Sequence, residues 1–270
     1  MNERVDGKTS SLDLDGRIRI IKDLELRHPA INIGLEEAIV EAVSGGGSIS
    51  TIRFWRNRRS AIIGRSQEAG AEVYLGNCRS SQIPLVRRPT GGGSVLHHPN
   101  NLNYSIYLPE AHTTSVKEQS RALSKPLASA LSELGLDIRV RSNGLFVGSN
   151  KIGGTAQSRR RGLLHHGTLL VEGDGIMENM DKFLRAGGGG YSEVVSRVAS
   201  EPDPVSSLVE LVGSSISVLD LIDAIVQGLA GALGGRPVEG EITDQEWRLA
   251  SYLAETKYSS STWNFRFHEE

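Results

Sequence analysis

RRPTGGGSVLHHPNNLNYSIYLP, residues 87–109, sets two arginines and a glycine triplet directly before a strand-like run. Side chains are absent where a backbone must approach something closely, and successive glycines let peptide N–H groups turn toward one target. An arginine fork beside them makes an anion the natural target. The stretch reads as strand, glycine turn, short strand, His/Asn turn and strand, changing direction at each cluster of Gly, Pro and Asn.

Outward from this stretch, SISTIRFWR and RSAIIG alternate apolar and polar residues and predict a pair of strands over 48–64 that lead into GRSQ. TTSVKEQSRALSKPLASALSELGL has apolar residues at helical spacing, a Ser115/Glu118 capping pattern and an end near Gly135, with Pro126 expected to kink the helix. GLFVGSNKIGGTAQ predicts a hairpin turning at Gly148-Ser149-Asn150, HHGTLLVEG a further strand, and Ser217 and Thr243 the starts of two more helices. Strands and helices mix without regular βαβ alternation, and neither GxGxxG nor GxxxxGK[ST] occurs. The expected fold is therefore α/β (α+β), a mixed, largely antiparallel sheet flanked by helices, and not a doubly wound sheet.

Lys plus Arg number 30 against 32 Asp plus Glu, so an anion site must be local, and the basic excess of a general nucleic-acid binder is missing. The single cysteine, Cys78, excludes an internal disulfide framework and a cysteine-rich zinc site, and its default is an inert buried thiol. The N-terminal 20 residues are charged and lack an apolar core segment, and no later stretch is apolar enough to span a bilayer. A cytoplasmic protein without membrane or nucleic-acid partners is the expectation. No metal site is expected, because no Cys or acidic cluster accompanies the histidines at a recognised spacing.

NIGLEEAI, AIIGRSQ, RRPTGGGSVLHH, NKIGGTAQ, LLHHGTLL and SRVAS occur in the order seen in lipoate–protein ligase catalytic domains. Over roughly residues 17–265 the chain resembles that family, with 1–16 as an N-terminal tail. The resemblance implies the biotin/lipoate-ligase-like fold and a two-step reaction. A lipoate or octanoate carboxylate attacks the α-phosphate of ATP, accompanied by Mg²⁺, and a lysine of a lipoyl carrier protein then takes the acyl group from acyl-AMP. It also implies site residues. Lys151, in the family's K-I-x-G-x-A motif, is the expected catalytic residue. Arg88, Thr90, Gly91, Gly92, Gly93, Val95, His97, Asn143, Gly153, Gly154 and His166 are expected at the nucleotide or acyl-adenylate, and Gly64, Arg65 and Gln67 against the acyl chain. Ile62, Ile63 and Val95 either line that pocket or belong to the core. Glycines 187–190 form either a loop that orders over the adenylate or a plain connector. Arg159-Arg160-Arg161 is either a solvated turn or a guide for an acidic carrier.

The sequence departs from the family at His98, where many members have Asp, and at Pro99-Asn100, where a Gly commonly lies nearby. Octanoyltransferases that resemble this family use a cysteine nucleophile; neither NGLFVGSNK nor the segment after Thr168 contains one, so the ligase chemistry is expected, with an octanoyl or lipoyl transferase acting from an acyl-carrier donor, or an inactive lipoyl-binding homologue, as the alternatives. KYSSSTWNFRFHEE resembles the element that ends the large catalytic domain. The accessory C-terminal domain is expected to be absent from this chain, and is either missing or supplied by a separate polypeptide.

Overall fold

The computed structural model describes residues 16–109, 115–141, 144–173, 176–185 and 198–267. In chain order it runs β1 (Arg17–Arg27), α1 (Pro29–Ser44), β2 (Thr51–Asn57), β3 (Ser60–Ile63), α2 (Ala69–Glu72), α3 (Leu75–Ser80), β4 (Leu85–Arg87), β5 (Val95–His97) and β6 (Asn101–Leu108). There follow α4 (Val116–Ser132), β7 (Ile138–Arg141), β8 (Gly144–Val147), β9 (Asn150–Ser158), β10 (Leu163–Leu170), α5 (Ile176–Phe183), α6 (Leu208–Val212) and α7 (Val218–Leu233). The last elements are β11 (Arg236–Glu239), α8 (Asp244–Leu253), a π-helical turn (Ala254–Tyr258) and α9 (Ser261–Asn264).

Eight strands form one sheet in the order β11-β1-β2-β6-β10-β9-β8-β7, and three form a second in the order β4-β3-β5. In the large sheet β1 lies parallel to β11 and β2, and every other pairing is antiparallel. The mixed, largely antiparallel sheet expected from the sequence is thus the one observed. The strands of 48–64, expected as a pair, do not pair with each other: β2 joins the large sheet and β3 the small one. Only Arg58 and Arg59 separate them, so the chain changes sheets there, and the small sheet is pinned over the end of the large one.

The predicted helix caps are present. Ser115 and Glu118 form a reciprocal capping box, Thr243 forms another with Glu246, and Ser217 accepts from Asp220 N–H. The hairpin also turns where expected, between Val147 and Asn150. Pro126 lies inside α4, which continues through it as one helix from Val116 to Ser132. Proline removes one intrahelical donor there, and Leu123, Leu127 and Leu131 on either side remain buried in the core.

What positions the site is the alternation of β6. Leu102, Tyr104, Ile106 and Leu108 face the core under α4 and α7, with Leu127, Leu131, Ile222, Ile225 and Leu229. The intervening Asn101, Asn103, Ser105 and Tyr107 face the other way and are just as buried. Period two forces this division. At one end of that second face α1 and α8 cover Ile21, Tyr107 and Leu164. Across the rest, a row of polar side chains lies beneath the small sheet.

Arg87, the first arginine of the opening stretch, fastens the small sheet to the C-terminal element. Its guanidinium donates to the carbonyls of Gly64 and Arg65 (3.0 and 3.3 Å), of Trp263 and Asn264 (3.0 and 2.7 Å), and of Gln67. Its backbone N–H and carbonyl bond the side chains of Asn264 and Trp263. Burial, and then the charge of Arg266, pulls the Arg87 guanidinium down to about 10, which leaves it cationic near neutrality. Removing it strands several buried carbonyls. Arg87→Ala should therefore lose about 3 kcal/mol or more of stability, whereas the exposed Arg79→Ala should stay within about 0.5 kcal/mol of the parent in urea unfolding.

Candidate active site

Opposite positions of antiparallel strands share a face. In the large sheet His166 lies opposite Ser105, and Thr168 opposite Asn103. Beyond them Ala156 and Gly154 pair with His166 and Thr168, and Trp55 pairs with Asn103 on the other side. The floor so defined runs from β2 to β9, three interstrand spacings or roughly 14 Å. A cavity of about 260 Å³ sits on it, roofed by Gly92, Gly93, Val95, Leu96 and His97 and flanked by Val198–Asp203 residues and Met180. Its β2 end is apolar, where Ile33, Trp55, Ile62 and Val95 pack together. Its β9 end carries Lys151.

Two buried chains of hydrogen bonds tie the roof to this floor. Asn57 Nδ2 donates to His97 Nδ1 (2.8 Å), which leaves the proton on Nε2 to be donated to Thr168 Oγ1 (3.0 Å), which donates to Asn103 Oδ1 (2.7 Å). Burial, then the charges of Arg88 and His166, pushes the His97 imidazole down to about 3. In the second chain Arg88 Nε donates to Thr90 Oγ1 (3.0 Å), Thr90 Oγ1 meets His166 Nε2 (2.8 Å), and His166 Nδ1 meets Glu36 Oε1 (2.6 Å). Ser105 Oγ donates to the same Glu36 oxygen (2.7 Å) and accepts from Trp55 Nε1 (2.8 Å).

The glycine loop is folded around the second arginine. Arg88 Nη2 donates to the carbonyls of Gly91 and Gly93 (2.5 and 2.7 Å), so those carbonyls, rather than a carboxylate, face the buried guanidinium. Arg88 Nη1 is buried and has no partner among the described residues. Burial lowers Arg88 to about 10, with the charge of Glu36 acting in the opposite direction, so it remains a cation. A buried cation with an open donor is a ready complement for an anion. Two glycines are required here. Gly92 has φ +83°, and a Cβ on Gly64 would lie 2.0 Å from the Gly92 carbonyl oxygen.

Lys151 Nζ lies 2.8 Å from Asp203 Oδ2 and 5.6 Å from the Phe146 ring centre. The backbone around Asp203 is sewn to Lys151, whose N–H donates to Pro204 O (2.7 Å) and whose carbonyl accepts from Ser206 (3.1 Å). Ser200, at the end of SRVAS, accepts from Ser94 N–H (2.7 Å) and from Gln67 Nε2 (3.1 Å) and donates to Glu72 (2.5 Å).

Of the residues expected at the nucleotide or acyl-adenylate, Arg88, Gly92, Gly93, Val95, His97, Lys151, Gly153, Gly154 and His166 line the cavity. Thr90 lies one bond behind the lining, and Gly91 is exposed. Asn143 and glycines 187–190 fall outside the described residues. Gly64, Arg65 and Gln67 are not on the cavity wall: Gln67 Oε1 accepts from Gly64 N–H (2.7 Å), and Arg65 N–H donates to Thr90 O (2.8 Å), so this segment braces the loop from behind. Ile62 and Val95 line the cavity, while Ile63 packs with Cys78 and Phe183. His98 Nδ1 accepts from Asn100 N–H (3.3 Å), a bond from residue i to i+2 that an Asp carboxylate would make at the same turn. The sequence reading missed Glu36, Asn103, Thr168, Ser200 and Asp203. Among the described residues no group of three or more His, Cys, Asp or Glu is placed to hold a metal ion, and no helix is long and apolar enough to cross a membrane.

Residues 28–230 match the model of the lipoyl protein ligase A/B catalytic domain. The chain belongs to this family. It is 37% identical over 240 residues to a putative lipoate-protein ligase A of Aeropyrum pernix, covering 86% of each chain. It is 31% identical over 262 residues to octanoyltransferase LipM of Symbiobacterium thermophilum, covering 87% of this chain and 93% of that one. The fold superposes with TM-score 0.78 on a bi-partite lipoate protein ligase of Thermoplasma acidophilum, described together with its E2 lipoyl domain, at 26% identity over 96% of this chain and 99% of the other. The protein is thus an enzyme of the lipoate ligase and octanoyltransferase family, and its motif-bearing cavity lies within the matched region.

The His97 chain carries a pH signature. A folded value near 3 against 6.5 for the free imidazole means the stabilisation is complete above about 6.5 and is lost as pH falls toward 3. His165, buried and further lowered by the charge of His166, adds to the same window. Nitrogen NMR should show His97 as the neutral Nε2–H tautomer down to about pH 5; an imidazole titrating near its free value would contradict the bonding described.

Proposed function

We propose that the chain is an ATP-dependent lipoate–protein ligase acting on lipoate or octanoate. A carboxylate oxygen attacks the α-phosphorus of ATP, pyrophosphate leaves, and acyl-AMP results. The amine of a carrier lysine then attacks the acyl carbonyl, loses a proton and expels AMP. Residues 17–265 act as one catalytic domain in this reading.

The observation that carries the choice of ligase over transferase is the position of the one cysteine. Transfer from an acyl-loaded carrier without ATP needs a nucleophile to hold the acyl group as a thioester. Cys78 is 3% exposed, packs with Ile63, Val73 and Phe183 on α3, and is not on the cavity wall. Burial pushes its thiol up to about 11, which starves it of thiolate. The likeness to an octanoyltransferase keeps transfer as the competing reading.

The cavity offers what adenylation requires. Its apolar β2 end suits an alkyl chain. Arg88 Nη1 and Lys151 Nζ supply fixed positive charge where a carboxylate and an α-phosphate must meet against their own repulsion. Mg²⁺ enters with the nucleotide phosphates. Lys151 is bonded to Asp203 in the described structure, so the incoming phosphate competes with a carboxylate for the ammonium group. Asp203 thereby holds the lysine in place at the β9 end. The acceptor is a lipoyl carrier domain, and the bi-partite organisation of the Thermoplasma relative supports a separate accessory polypeptide that raises the adenylation rate.

The test is to weigh an apo carrier domain by mass spectrometry after incubation with the chain, either with ATP and octanoate or lipoate, or with octanoyl-loaded carrier and no ATP. The expected result is modification only in the ATP arm, faster when the accessory polypeptide is added, and unchanged in Cys78→Ser. Lys151→Ala should remain folded and lose about a hundredfold or more in rate. Modification from octanoyl carrier without ATP, abolished in Cys78→Ser, would establish transfer instead.

A further inference from the structure

Behind the arginine–glycine loop lies a second recess of about 250 Å³ that the proposed chemistry does not use. Its walls are Pro89, Trp263, Leu164 and Val40, together with four cationic side chains, Arg65, Arg160, Arg161 and Lys257, and a single carboxylate, Glu37. Glu37 is already engaged by Lys257 (2.5 Å), by Arg161 (3.7 Å) and by the Tyr258 hydroxyl, and Arg161 also reaches Glu41 at 2.7 Å. That leaves Arg65 and Arg160 facing an excess of positive charge in a chain whose net charge is −2. The crowding registers on the neighbouring Arg266. Burial, then the charges of Arg65 and Arg160, holds its guanidinium below the ordinary arginine value, and its Nε is buried without a partner among the described residues.

We propose that this recess binds a compact polyphosphate anion of pyrophosphate size. Several guanidinium forks around a small volume match a multiply charged phosphate, whereas one carboxylate would leave half of that excess uncompensated. The walls favour a small ion over a protein surface, because Leu164 and Val40 are buried and the Glu37 side chain is only 14% exposed. The recess shares its loop with the active cavity. Pro89 lines it, the adjacent Arg88 lines the cavity, and Trp263 Nε1 donates to Arg87 O at 2.8 Å. An anion here therefore bears on the loop that holds Arg88. Pyrophosphate as the physiological occupant rests on the adenylation step proposed above; binding itself does not.

The experiment is isothermal titration of inorganic pyrophosphate into the full chain, with no ATP or fatty acid present, alongside Arg160→Ala and Lys151→Ala. Arg160 is exposed on the β9–β10 turn, so its removal leaves the fold intact. Pyrophosphate should bind the parent, and the binding that depends on Arg160 should persist in Lys151→Ala. Arg160→Ala should weaken it about tenfold or more, the loss of one charge-assisted contact. Orthophosphate should bind more weakly than pyrophosphate, and rising salt should weaken both. Absence of binding to the parent, unchanged affinity in Arg160→Ala, or loss of binding in Lys151→Ala would each overturn the assignment. A failed carrier assay would leave this result untouched, because no turnover is measured.

Discussion

A guanidinium buried without a carboxylate against it must be held by neutral dipoles, and Arg88 is held by the carbonyls of its own glycine loop. Taking a cation out of water is expensive unless its donors are satisfied. Five neighbouring residues meet that demand. Thr90 takes Nε, Gly91 and Gly93 take Nη2, His166 fixes Thr90, and Glu36 fixes His166 from the first helix. Among the described residues one donor, Nη1, is left over, and it belongs to a residue on the wall of the cavity. The loop is thus shaped by the arginine, and the arginine is aimed by the loop.

The neighbouring arginine does a different job with the same chemistry. Arg87 spends its donors on the carbonyls of two separated segments and so joins GRSQ to the WNF element, while Arg88 keeps a donor for the cavity. Arg87 ends β4 and Arg88 follows it, its N–H bonded to Ile63 O, so side chains on successive extended residues let one arginine pair serve architecture and site at once. The same division runs through β6 and β10, whose alternate residues build the apolar core and the polar floor. Lys151 and Asp203 close the other end of that floor, where the 200–206 segment is laid against β9 by backbone bonds.

Much of this was legible in the chain itself. The glycine triplet, the Gly148-Ser149-Asn150 turn and the Ser115, Ser217 and Thr243 caps are local, with their partners within a few residues, and local chemistry survives in sequence. Glu36, Ser200 and Asp203 were not read, because each acts on a partner far along the chain: Glu36 on His166, Ser200 on Ser94, Asp203 on Lys151. Two signals were nonetheless present. NIGLEEAI sets Glu36 at helical spacing from Ile33 and Ile39, on the apolar face of α1, and NLNYSIYL alternates buried polar with buried apolar residues, which marks a sheet face that is polar yet not solvated. The expectation that Gly64, Arg65 and Gln67 lie against the acyl chain follows from the family resemblance. Motif order places a segment near a site without saying which side of the wall it occupies. The Gln67 side chain is bonded to Gly64, and the Arg65 N–H ties this segment to Thr90 of the loop.

The most direct measurement is a crystal structure with a non-hydrolysable acyl-adenylate analogue. The phosphate mimic should lie within hydrogen-bond reach, about 3 Å, of both Lys151 Nζ and Arg88 Nη1, with the alkyl chain among Ile33, Trp55 and Ile62. An analogue lodged elsewhere, with Lys151 still bonded to Asp203 and Arg88 Nη1 still without a partner, would contradict the account.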